Sequence, residues 1–130
     1  MGQTAGAAAP TKTPRAVPVE AIDLAHLARM TLGEHALEAE VLTLFDQQAA
    51  VLLARMGECA PAAAAAFAHT LKGSARGIGA WRVAAAADAV EMNAIRSSAA
   101  EIAAAVTRLA AAVDEAKAAI ADRLQSRAAP

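Results

Sequence analysis

The sequence is poor in the residues that build strands and sites of metal or redox chemistry. Tyrosine is absent, and one Trp and two Phe supply all of its aromatic side chains. No β-branched or aromatic runs of strand length occur, which excludes a sheet and leaves an all-α reading. A single cysteine, Cys59, excludes an intramolecular disulfide and a cysteine-built zinc site. Cys59 also has no basic neighbour to activate it, so a reactive thiol is not expected. There is no excess of positive charge: 12 basic against 13 acidic residues leave a net charge of −1. That balance argues against nucleic acid as the main partner, because phosphate-binding surfaces need a basic surplus. Alanine-rich runs are broken by charges, so no stretch reads as a membrane span. The first 18 residues carry Pro10, Pro14 and Pro18 and lack the apolar core of a secretory signal. Gly6 stands where a myristoylation site wants Ser or Thr. The expectation is a soluble, cytoplasmic protein with no membrane or nucleic-acid partner.

What the chain does have is alanine. The apolar fraction is 57%, much of it the residue with the highest helix propensity and a small buried area. A core of that composition requires helices that approach closely, with Leu, Val, Ile, Met and Phe filling the gaps. Residues 1–18, rich in Gly, Ala, Thr and Pro, read as a disordered tail. The remainder, 19–127, reads as one helical bundle of a size that needs no second chain, hence a monomer.

Five helices are expected. A short one spans about Val19 to Met30, with Ile22, Leu27 and Met30 as contacts, and Gly33 ends it. A long one starts near Glu34 with Leu37, Val41, Leu44, Gln48 and Leu52 as its stripe, widened by Phe45 and Met56, and stops at Gly57. Pro61 suits the first turn of a third helix running to about Ile78, with Gly79 as a left-handed cap. A fourth covers about Ala80 to Ile95, with Val83, Ala87, Val90 and Ala94 aligned. Ser98 and Glu101 form a capping box for the fifth, whose seam is Ile102, Val106, Leu109, Val113, Ala116 and Ile120. Short connections favour an antiparallel up-down-up-down four-helix bundle with a short extra N-terminal helix.

The third helix carries the chemistry. At ~100° per residue, Phe67, Leu71 and Ile78 fall opposite His69, and Ser74 leans to their side. His69 therefore points to solvent, among Lys72, Gly73 and Arg76 ahead and Ala62, Ala65 and Ala66 behind. Glycine inside a helix costs ~1 kcal/mol relative to alanine, and close approach of another molecule is the use that Gly73 on this face suggests. An exposed neutral imidazole is a nucleophile near pH 7, and two cations suit a phosphoryl group. Ser74 is expected to bond a carbonyl one turn back, and Gln48 to sit at the edge of its stripe. Trp81 is expected to plug one end of the bundle. His26 and His35 lack ligand-like spacing, so no metal site is expected.

The run Ala68-His69-Thr70-Leu71-Lys72-Gly73-Ser74-Ala75, followed by Gly79-Ala80, resembles the signature of the histidine-containing phosphotransfer (HPt) family. Residues 33–56 and Val90-Glu91 resemble that family's flanking helices. The resemblance implies a four-helix bundle with His69 as phosphoacceptor, exchanging phosphoryl groups with response-regulator receiver aspartates and a histidine kinase of the hybrid type. It implies that Lys72 supports the phosphoryl group and that Gly73 serves docking of the partner; their place on the same face adds Arg76 to the first role and Ala65 and Ala66 to the second. It implies no cofactor on this chain, with Mg2+ on the partner receiver, and no enzyme activity of its own. The alternative is a helical interaction module that binds a receiver or kinase without being phosphorylated. A kinase dimerisation region is disfavoured, because Thr70 rather than an acidic residue follows the histidine and no proline follows before Pro130. A DNA-binding helical domain is disfavoured by charge.

Overall fold

The structure, a computed structural model, describes residues 20–128. The sequence-predicted tail lies outside the described residues. Among them there are five helices and no strand: α1 Leu24–Met30, α2 His35–Glu58, α3 Pro61–Ile78, α4 Trp81–Arg96 and α5 Ala99–Ala128. Helices α2 to α5 pack each on the next, α5 also packs on α2, and α1 rests on α3.

Local chemistry sets the helix ends. Asp23 caps α1 by accepting from the His26 N–H at 3.1 Å. The chain then turns through Leu32 and Gly33, both at positive φ. Pro61 opens α3 where its missing N–H costs nothing, and Gly79 closes it at φ +81°. Ser98 and Glu101 form the reciprocal capping box, with the Ser98 N–H donating to Glu101 Oε1 at 3.0 Å and the Glu101 N–H to Ser98 Oγ at 3.2 Å. The first helix is shorter than expected. Ile22 precedes it, though still buried, and Met30 faces solvent instead of the core.

The core is built from matched stripes. Helix α3 buries Ala64, Ala68, Leu71, Ala75 and Ile78, and α4 buries Val83, Ala84, Ala87 and Val90. Small side chains on both let the two helices share the most extensive contact in the fold. Helix α5 buries Ile102, Ala105, Leu109, Val113, Ala116 and Ile120, with Val106 only half-buried at the seam's edge.

In α2 the buried row is Glu38, Leu42, Phe45, Ala49, Leu52 and Met56, one residue out of phase with the expected stripe over much of its length. Leu44 is 57% exposed. Two adjacent rows of α2 are comparably apolar, and the buried one includes a carboxylate. Arg123 makes that burial possible. Its guanidinium donates from Nε to Glu38 Oε2 at 2.7 Å and from a terminal nitrogen to Oε1 at 3.2 Å, so the carboxylate is buried in a two-pronged pair between α2 and α5.

A polar junction ties α1 to the α3–α4 turn. The Asp23 N–H donates to the Gly79 carbonyl at 2.9 Å, and the Trp81 indole N–H donates to Asp23 Oδ2 at 2.9 Å. The His26 ring meets Trp81 edge-on at 4.9 Å. Gly79 is constrained twice, by its left-handed backbone and because a Cβ there would lie 2.9 Å from the Asp23 carbonyl oxygen. Gly79→Ala is expected to lower stability by about 1–2 kcal/mol, read as a drop in the thermal midpoint. An unchanged midpoint would show that α1 is not held tightly against this turn.

Candidate functional site

On α3, the alternation that buries Ala68 and Leu71 leaves His69 outward, with 68% of its side chain exposed. Its ring is not free. Nδ1 lies 2.8 Å from Glu91 Oε2 on α4. The other oxygen, Oε1, lies 2.7 Å from Lys72 Nζ, and Lys72 Nζ also donates to Asp88 Oδ1 at 3.0 Å. One carboxylate thus bridges the imidazole and the lysine, and Asp88 holds the lysine from one turn away.

These contacts have electrostatic consequences. The Lys72 ammonium, and then the His69 ring, hold the Glu91 carboxyl below the usual glutamate range against the opposing effect of partial burial. Glu91 and Asp88 raise Lys72 above the usual lysine range. An ionised carboxylate only accepts, so the ring nitrogen facing Glu91 carries the proton in neutral His69. Nε2 then presents its lone pair away from Glu91.

Lys72 is only 13% exposed and leans onto α4 rather than over the imidazole. An ammonium has three N–H donors, and two are engaged by Glu91 and Asp88. Arg76 is exposed on the same face, seven residues on, about 10.5 Å along the axis from His69. Gly73 is exposed, and a Cβ there would meet nothing within 4 Å. Its helix-weakening cost has no packing reason within the chain. Ala66 is exposed and Ala65 half-buried, so the surface before His69 is low and smooth.

Glu91 and Asp88 were not assigned any role from the sequence. Glu91 lies 22 residues from His69, and no local spacing announces a contact across two helices. The available signal was a pair of acids three apart on the fourth helix. Ser74 also differs from expectation. Its hydroxyl donates to Gln48 Oε1 at 2.6 Å, joining α3 to α2, instead of to a carbonyl one turn back. Gln48 is therefore a half-buried bridging residue, which its place in an apolar stripe obscured. His26 lies apart from His69, its Nε2 2.9 Å from the Arg76 carbonyl. Among the described residues no group of His, Cys, Asp and Glu could hold a metal ion, and no helix is long and apolar enough to cross a membrane.

Comparison with known proteins bears on the family and the fold. The model of the Hpt domain family matches residues 36–119. No curated protein matches the chain in sequence. Among solved structures, the crystal structure of the histidine phosphotransferase ShpA from Caulobacter crescentus is similar at 32% identity, covering 82% of this chain and 97% of that one, with a TM-score of 0.55.

Proposed function

Because this chain belongs to the Hpt domain family, we propose that it is the phosphotransfer protein of a multistep two-component phosphorelay, carrying a phosphoryl group on His69 to and from receiver-domain aspartates. The observation that carries the reading is the 2.8 Å contact between His69 Nδ1 and Glu91. It leaves an exposed Nε2 as a nucleophile of defined direction on an otherwise low surface.

In the forward step the Nε2 lone pair forms a P–N bond as the P–O bond to the receiver's aspartate breaks and the aspartate carboxylate departs. Nδ1 keeps its proton, so no base is needed. The positive charge that develops on the ring is offset by Glu91, which acts as a positioning residue in the way an orienting carboxylate does in a catalytic triad. The third Lys72 N–H donor is available to a phosphoryl oxygen, and Arg76 adds a second cation on the same face. Gly73, Ala65 and Ala66 give an approaching domain room to bring its aspartate close. Mg2+ belongs to the receiver in this reading and supplies charge neutralisation there. The chain itself turns nothing over and is a carrier rather than an enzyme.

The connections between α2 and α5 are two residues each, too short to span a helix, and α5 closes onto α2. These favour an up-down-up-down bundle with α1 as an addition. A monomer acting in the cytoplasm, supplied by a hybrid histidine kinase, completes the proposal.

The test is transfer of label from receiver domains charged with acetyl phosphate and Mg2+. A label on this chain that is lost in acid and kept in alkali is the expected result. A folded protein that takes no label from a broad panel would favour the unphosphorylated interaction module.

Glu91→Gln is expected to slow transfer by roughly tenfold or more, by removing the charge that faces the ring. The same variant bears on acid stability. Glu91 titrates lower folded than unfolded, so its stabilisation is full above the unfolded value of about 4.3. It is lost as pH falls through the lower folded value. As pH falls below the unfolded value and through the lower folded one, the wild type should therefore lose more stability than Glu91→Gln, as measured by urea unfolding. Parallel curves would show that the Lys72–Glu91 pair is energetically idle.

A further inference from the structure

Resting on the carrier reading, we propose that Asp88 on α4 is a positioning residue that poises His69 to give its phosphoryl group away. As a second carboxylate on Lys72, it leaves the site with a surplus of negative charge. It thereby lowers the share of phosphoryl that His69 holds at equilibrium with a receiver domain.

Lys72 is paired twice. Its Nζ lies 2.7 Å from Glu91 Oε1 and 3.0 Å from Asp88 Oδ1. One carboxylate is enough to neutralise one ammonium. Glu91 has a further contact, because its other oxygen faces His69 Nδ1 at 2.8 Å. The Asp88 carboxylate has none: Lys72 is its sole hydrogen-bond and ion-pair partner among the described residues. With His69 neutral, the ammonium and the two carboxylates sum to a net charge of −1. Arg96 lines the same groove as Lys72, Asp88 and Glu91, and Arg76 is exposed on α3. No ion pair joins either arginine to the cluster among the described residues. A site that must receive an anion is therefore overcompensated with negative charge, and Asp88 is the surplus.

The charges that move on transfer separate the two acids. When His69 accepts, Nε2 bonds to phosphorus as the P–O bond to the receiver aspartate breaks, and Nδ1 keeps its proton. The ring becomes positive and carries a dianionic phosphoryl group, so the site as a whole gains negative charge. Glu91 touches the ring and offsets its new charge. Asp88 touches only the lysine, so its charge opposes the phosphoryl oxygens and offsets nothing on the imidazole. It also engages one of the three ammonium N–H donors that a phosphoryl oxygen could use. In the reverse step the N–P bond breaks, its electron pair returns to Nε2, a P–O bond forms on a receiver aspartate, and the repulsion is relieved. Asp88 thus weights the exchange toward the receiver. Its side chain is 48% exposed, so water and salt screen the charge and set the scale at a few-fold.

Asp88→Asn removes the charge with little change of shape, since the amide oxygen can still accept from Lys72. The intact chain is mixed with a receiver domain that charges the wild type, in the presence of Mg2+. The ratio of phosphorylated chain to phosphorylated receiver is then followed to a common end point from both directions. Asp88→Asn should raise that ratio about three- to fivefold, and Asp88→Glu should return it to the wild-type value. Asp46→Asn, which takes a carboxylate from the Lys117 pair between α2 and α5, should leave it unchanged. A merely structural role for Asp88 would lower the thermal midpoint and leave the ratio alone. An unchanged or lowered ratio in Asp88→Asn overturns the proposal, and so does Asp88→Glu behaving like Asp88→Asn, which would place the effect in shape. A wild type that no receiver charges is a different failure: it removes the carrier reading, and this proposal goes with it.

Discussion

His69→Gln is expected to abolish phosphoryl transfer to below detection while leaving the thermal midpoint within about 2 °C of wild type. Glutamine keeps polarity and reach but has no basic nitrogen, so no P–N bond of the required kind can form. Because the side chain is largely solvated, its loss removes little packing. Its hydrogen bond to Glu91 is one that a glutamine amide can replace. The measurement is the same receiver-transfer assay, followed by mapping of any residual acid-labile label. Label persisting on the variant would move the acceptor to another histidine. His35 is exposed, whereas His26 already engages the Arg76 carbonyl through Nε2.

Arg123→Ala is expected to have the largest effect on stability, about 2–3 kcal/mol, seen as a fall of roughly 10 °C in the thermal midpoint. The substitution leaves Glu38, 5% exposed in its side chain, as an ionised or neutral carboxyl without its two-pronged partner. A fully buried pair broken this way costs ~3–5 kcal/mol, and the lower figure reflects water entering where the guanidinium stood. Replacing both residues, with Glu38→Leu and Arg123→Met together, should cost much less, since an apolar pair leaves no charge behind. A double variant as damaged as the single one would show that the loss lies in side-chain packing instead.

Helix α3, which presents His69, was legible because its determinants are local. Pro61 and Gly79 bound the helix, and angular position alone places His69 opposite Leu71 and Ile78. The same logic failed on α2, where two neighbouring rows are both apolar enough to be buried. The deciding fact is Arg123, 85 residues away. Glu91, Asp88 and the Ser74–Gln48 bridge were hidden for the same reason, because each depends on how one helix is set against another. Periodicity reports which face a helix buries, and it is silent on the register between faces.

The distance along the chain between Glu38 and Arg123 also has a meaning in time. At synthesis rates of ~5–20 residues per second, the 85 residues separating them take about 4 to 17 seconds to emerge. Throughout that interval the α2 carboxylate lacks the Arg123 guanidinium that accompanies its burial, and burying its row without that charge is less favourable. The nascent chain is thereby held back from closing its core around an incomplete set of helices until α5 leaves the ribosome.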